Sequence, residues 1–389
     1  MNTQPTTDTD TDTDEKRGLS FKLDMQAYTL IIALVLIAVI FGFFTGGEFL
    51  SSRNLSNLFS QMSVVAVLAI GMTLIIVAGH IDLSVGSLVG LTGGVTAILH
   101  VWYDWNTFAV VVAAIVVGAI LGAWQGWWVA YRAVPAFIVT LGGMLIFRGI
   151  LIGLSKGQTI APMSNSFKDI SNSYFPFGLG YLLALVSIGM LYFWTVRNRS
   201  KRKDMGLLLP TQLIDYGKIG VYSFFILLAT YMLNRYHGIP TPILIVVLLA
   251  AIFIFISNKT AFGRYVYAIG GNPEAAALSG INIKRNTLWV FISMGALAGV
   301  AGVILTSRLN AATVNAGNMY ELDAIAACVI GGTSLMGGKG KIVGALIGAL
   351  IMASIDNGMS MMNIETFWQY IVKGLILIVA VWIDIASKK

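Results

Sequence analysis

Charged side chains are scarce in this chain. Asp, Glu, Lys and Arg make up 11% of its 389 residues, 57% are hydrophobic, and the mean hydropathy is +0.81. A soluble domain must cover itself with more polar surface than that, so the composition excludes one and leaves a polytopic membrane protein. Cysteine occurs once: Cys328 lies in an apolar run, cannot form an internal disulfide, and reads as a small packing residue. Histidine occurs only at 80, 100 and 237, too far apart for metal ligands at helical or turn spacing. No Ser/His/Asp or Cys/His arrangement accompanies these residues, so neither an enzyme nor a metal site is expected. A phosphate loop is also missing. The stretch GGTSLMGGKGK at 331–341 carries Thr333 where the first glycine is required, and Gly340 follows Lys339 where Ser or Thr would hold Mg²⁺. It reads as a turn between apolar spans, and the chain is expected to bind no cofactor and hydrolyse no ATP by itself.

The charges that are present are unevenly placed. A net charge of +7 would suggest nucleic acid in a soluble domain, but no basic patch is interleaved with aromatics, so no nucleic-acid partner is expected and positive-inside bias accounts for the excess. Residues 1–27 include a low-complexity TDTDTDTDE tract and read as a disordered cytoplasmic tail rather than a signal peptide. Spans of roughly 20 apolar residues are predicted near 28–46, 62–78, 83–100, 107–126, 136–154, 178–196, 217–234, 239–257, 287–306, 322–336, 342–356 and 367–384. With the N-terminus inside, the cytoplasmic segments hold 17 of the 25 Lys and Arg and the external ones 5, which predicts both termini in the cytoplasm. Seven tryptophans, at 102, 105, 127, 128, 194, 368 and 382, fall near predicted span ends and read as a belt in contact with membrane lipid.

One polar stretch stands apart from these spans. In NPEAAALSG, 272–280, Asn272 can cap a helix, Pro273 suits its first position, Glu274 complements its dipole, and Gly280 can close it, with Ala275, Ala276 and Leu278 between them. A helix of two turns is marginal alone, so such complete capping points to a surface that must be presented in a defined shape. Lys259, Arg264, Lys284 and Arg285 flank it and put it in the cytoplasm.

Two further patterns concern packing. VGSLVG at 85–90 matches VGALIG at 343–348, and IGMT at 70–73 matches IGGT at 330–333, which predicts an internal parallel repeat. Gly86, Gly90 and Gly94 recur every fourth residue, as do Gly118, Gly122 and Gly126, and Gly344 pairs with Gly348, a spacing that lets helix backbones approach closely in lipid.

Polar residues within or beside apolar runs are the remaining candidates, here for a pathway or gate. They are Asp82, Ser84 and Ser87 in IDLSVGS, Arg148 in LIFRGIL, and Asn357. Asp82 is expected mainly to cap the helix that follows it. Arg148 is expected near the outer end of its span, where it can snorkel or pair. Glu321, Asp323 and Asp356 are expected to be solvated at span ends, and Lys373 to serve as an interfacial anchor.

These residues resemble a family. GRYVYAIGGNPEAAALSGINIKR (263–285), ELDAIAACVIGGTSLMGGKG (321–340), IDLSVGS (81–87) and VPAFIVTLGGMLIFRGI (134–150) resemble the permease subunits of bacterial ATP-binding-cassette importers for monosaccharides, over nearly the whole chain from about residue 28. The resemblance implies an all-α permease domain at 28–386 in the bacterial inner membrane, with about 12 spans, some of them short or broken. A second permease copy, a cytoplasmic ATPase that carries ATP and Mg, and a periplasmic sugar-binding protein are the implied partners. Segment 258–286 would be the loop that receives the ATPase. The stretch 178–236 is an addition to a ten-span core, a hairpin with a basic cytoplasmic loop, and it resembles the xylose-transporting members, which makes xylose the expected cargo. An ion-gradient-driven secondary sugar transporter is the alternative, but it leaves the capped helix without a partner.

Overall fold

Inside a bilayer, a backbone surrounded by lipid satisfies its own polar groups only as a helix or a closed barrel. The computed structural model describes residues 25–206 and 211–386 and is helical through most of them. Of the expected tail only 25–27 fall within the described residues, where they open α1. In chain order the helices are α1 (Met25–Phe44), α2 (Ser52–Val77), α3 (Val85–Ala97), α4 (Thr107–Arg132), α5 (Ala136–Ser155), α6 (Asn165–Asn172) and α7 (Phe177–Asp204). They continue with α8 (Gln212–Asn234), α9 (Thr241–Lys259), α10 (Ala261–Gly271), α11 (Pro273–Leu278) and α12 (Ile283–Leu309). The last three are α13 (Tyr320–Ile330), α14 (Ile342–Met361) and α15 (Thr366–Ala386). A two-residue antiparallel pair, β1 (Tyr174–Phe175) with β2 (Ile239–Pro240), joins the start of α7 to the start of α9.

Among the described residues, ten helices are long and apolar enough to cross a membrane, α3 reaching that length through a π turn that ends at Trp102. The expected spans need correction at three places. Segment 322–336 is not a full span: α13 has 11 residues, about 16 Å at 1.5 Å per residue, roughly half of a 30 Å hydrocarbon core. The apolar run suggested more because hydropathy does not register that Gly332, at φ +87°, ends the helix in a turn. The other half is irregular. After α12 the chain folds back along α3, where Gly317 lies on the Gly86 carbonyl and the Ala316 carbonyl on Gly90. Such backbone is tolerated at depth because protein surrounds it.

The second correction is that α2 begins at Ser52, ten residues before the expected start. Its first turns carry Ser52, Asn54 and Asn57 and so resemble a loop in sequence, while the Ser51 hydroxyl caps them by accepting from the Asn54 amide at 3.3 Å. Third, the stretch before the capped motif is itself a helix, α10, and α7 runs on through the basic block to Asp204.

The core forms around α2, buried continuously from Ser63 to Val77, with α12, α3, α13 and α14 against it. Glycine decides the closest approaches. A Cβ on Gly118 would meet the Gly295 carbonyl, one on Gly122 the Phe291 carbonyl, and one on Gly295 the Gly118 carbonyl, so α4 and α12 touch backbone to backbone. Gly348 meets Ala327 of α13 in the same way, Gly344 meets Gly331 just beyond its end, and Gly94 receives Leu151 of α5. VGSLVG opens α3 and VGALIG opens α14, each following a turn on the face of the molecule that carries α10 and α11. On that face the Gly338 amide donates to the Val77 carbonyl at 2.9 Å, and Gly270 packs on both residues.

Candidate functional site

α11 stands at the α10–α12 connection and is capped at both ends. Asn272 Oδ1 accepts from the Ala275 amide at 2.9 Å, Pro273 takes the first position, and Glu274 lies in the first turn. Gly280, at φ +80°, turns the chain back, so that its amide reaches the Ala277 carbonyl at 2.9 Å and that of Ile281 reaches Ala276 at 3.1 Å. Only Ala276 of the motif is buried; Leu278 is 90% exposed.

α10 anchors this knob. The Tyr267 hydroxyl donates to the Gly340 carbonyl at 2.7 Å and accepts from the Ser257 hydroxyl at 3.2 Å, while Gly270 leaves no room for a side chain between α10 and the end of α2. α10 thus joins α11 to the end of α2 and to the 331–341 turn by direct contacts.

The IDLSVGS residues are buried together beside this face. The expected cap takes a different form: Ser84, not Asp82, holds the cap position of α3. Asp82 Oδ1 accepts from the Ser84 amide at 2.8 Å and from its hydroxyl at 2.6 Å, and Ser84 Oγ accepts from Gln125 Nε2 of α4 at 2.7 Å. Gly143 of α5 leaves the space that Gln125 fills. Ser87 is buried one turn further along α3. These residues tie three helices together, and sequence reasoning missed Gln125 because an isolated Gln in an apolar helix carries no local signal of its partner.

Arg148 pairs rather than snorkels. Its Nη1 donates to the Val314 carbonyl and, at 3.0 Å, to the Ala316 carbonyl, so one guanidinium group holds the irregular strand that precedes α13. Asn357 is 4% exposed and accepts through Oδ1 from Asn54 Nδ2 at 2.8 Å, joining α14 to the first turn of α2 at the opposite face from α11.

Lys373 is ion-paired rather than an interfacial anchor, and of the acidic residues expected to be solvated Asp323 and Glu321 are buried and Asp356 half-buried. Its Nζ lies 3.0 Å from Asp323 Oδ2 and 2.8 Å from Asp356 Oδ2, which ties α15 to α13 and α14. Asp323 is 1% exposed and Glu321 8%. Opposite charges in three apolar segments were the available signal, since a charge retained in lipid normally has a partner, but nothing in the sequence said which charge meets which.

The chain matches, over residues 54–381, a family model described as "Branched-chain amino acid transport system / permease component". It is 50% identical to the "Xylose transport system permease protein XylH" of Escherichia coli strain K12, over 94% of this chain and 93% of that one. The Haemophilus influenzae protein of the same name is 49% identical over 95% of this chain and 99% of its own. The "Ribose import permease protein RbsC" of E. coli K12 is 38% identical over 92% of this chain and 94% of its own. No solved structure matches.

Proposed function

On the premise that the chain belongs to this permease family, we propose that it is the membrane-spanning subunit of an ATP-driven importer that carries D-xylose into the cytoplasm. The substrate follows the xylose permeases that match it end to end at half identity. The structural observation that supports the coupling role is α11, a doubly capped knob with an exposed leucine, joined through α10 to the end of α2 and the 331–341 turn, a shape suited to docking on another protein. Its partner is a cytoplasmic ATPase that binds ATP and Mg, and a periplasmic sugar-binding protein delivers the cargo. A second copy of the permease completes the membrane part.

The face that bears α11 is the cytoplasmic one, because Lys and Arg concentrate in the segments that end there. Nucleotide closure of the ATPases pushes α11, α10 transmits the push to α2 and to the turn between α13 and α14, and the glycine-packed helices shift. Nothing in these relatives favours the ion-driven alternative.

The test is D-xylose uptake into proteoliposomes that contain the chain, its ATPase and a xylose-loaded binding protein, with and without ATP. Uptake that needs all the components is expected, and Glu274→Arg or Pro273→Gly should lower ATPase coupling while leaving membrane insertion intact. Accumulation by the chain alone on a proton or sodium gradient would overturn the proposal.

A further inference from the structure

On the face opposite α11, the first turns of α2, the end of α12, α6 and the 235–238 connection line an open cleft of ≈ 650 Å³. That size lies within the range of about 300–1,000 Å³ typical of small-molecule sites. Its lining is unusually polar for such a site: among the residues that form it, only Leu309 and Met361 are aliphatic or thioether side chains.

The polar groups present are suited to one chemistry. Of three asparagines on the lining, Asn57 offers both a donor and an acceptor, the pairing that a sugar hydroxyl, itself both donor and acceptor, requires. Asn54 has both amide hydrogens bonded, to Phe49 and Asn357, and Asn172 donates to Ser307, so these two chiefly offer their carbonyl oxygens. Arg53 and Arg308 add planar sets of N–H donors. Arg308 is half-buried, and among the described residues its guanidinium makes no hydrogen bond and no ion pair, and the Asn57 amide makes no hydrogen bond. A half-buried guanidinium without an acceptor has donors to spare for a ligand. With Glu48 also on the lining, both signs of charge are present, which suits a neutral polyol better than an ion.

Tyr174 and Tyr236, in edge-to-face contact with ring centroids 6.1 Å apart, add an aromatic wall for the apolar face of a sugar ring. Asn54 is bonded to the buried Asn357, which fixes its amide group on the lining.

We propose that this cleft is a monosaccharide-binding vestibule within the permease itself, in which Asn57 and Arg308 hydrogen-bond the sugar hydroxyls. The choice of sugar rests on the transport reading above, whereas the presence of a polyol site does not require the ATPase or the binding protein.

The experiment is saturation-transfer difference NMR with D-xylose on the full chain in lipid nanodiscs, without partners, with empty nanodiscs as the reference. Asn57→Leu, Arg308→Met and, on the α11 face, Arg285→Met are compared after each has been shown to elute as the wild type does. Transfer to xylose above the empty-disc level is expected in the wild type and Arg285→Met. A fall of about five- to tenfold, the effect of one lost net hydrogen bond, is expected in Asn57→Leu and Arg308→Met.

No transfer above empty discs in the wild type, or undiminished transfer in either cleft variant, would overturn the proposal. If Arg308→Met does not fold, Asn57→Leu decides, since residue 57 is exposed. ATP-driven uptake without sugar binding by the isolated chain would remove the vestibule and leave the importer reading standing. Cleft-dependent binding without ATP-driven uptake would do the reverse.

Discussion

Lys373 and Asp323, 50 residues apart in the chain, form an ion pair 3.0 Å long in which the carboxylate is almost wholly buried. Asp356 closes on the same ammonium at 2.8 Å, so a single positive charge sits between two negative ones where α13, α14 and α15 meet. Taking charges out of water is costly, and the pairing offsets that cost only while every member is present.

Lys373→Met is therefore expected to destabilise the protein by about 3–5 kcal/mol, the usual consequence of leaving a buried charge unpaired. Thermal unfolding of the detergent-purified protein measures it. Adding Asp323→Asn and Asp356→Asn to the same chain should recover much of the loss, and a triple variant no better than the single would refute the pairing account.

Arg148 makes a second long-range tie, to carbonyls 166 and 168 residues away. Arg148→Met leaves the Val314 and Ala316 carbonyls unpaired at a cost of about 1–3 kcal/mol each. Hydrogen exchange across residues 311–319 should speed up. Arg148→Lys should restore only part of the protection, because a compact ammonium replaces a planar fork.

The α4–α12 contact sets a strict size limit. Gly295→Leu drives a side chain into the Gly118 carbonyl and should cost at least the 1–3 kcal/mol or so of ordinary overpacking. The loss is read as the fraction of protein that elutes as a single species. Gly142→Leu, at a position with nothing within 4 Å of the added Cβ, should elute normally.

The capped knob can be weakened at its two ends while Glu274 and Leu278 stay in place. Asn272→Ala removes the bond to the Ala275 amide, worth about 1 kcal/mol, and Gly280→Val forces a β-branched residue to φ +80°, a strain of about 1–3 kcal/mol. Both should lower ATPase stimulation by the permease in proteoliposomes, the second more than the first. Equal stimulation by both variants and the wild type would show that the shape of α11 carries no force.

The sequence by itself determined the membrane setting, the helical class and the form of α11. Hydropathy and capping are local properties, written in residues that are neighbours in the chain: the Asn272, Pro273 and Gly280 signals were sufficient because each acts within four residues. The glycine spacings likewise identified the faces of α3, α4 and α14 that pack closely, since a helix converts a four-residue repeat into a stripe.

Tertiary structure alone decided the rest. Which charge meets Lys373, which carbonyls meet Arg148, and that the run after residue 322 crosses only half a membrane all depend on how helices distant in sequence are placed side by side. A buried polar group is stable only with its partner. The chain lists the polar groups, but packing assigns the partners.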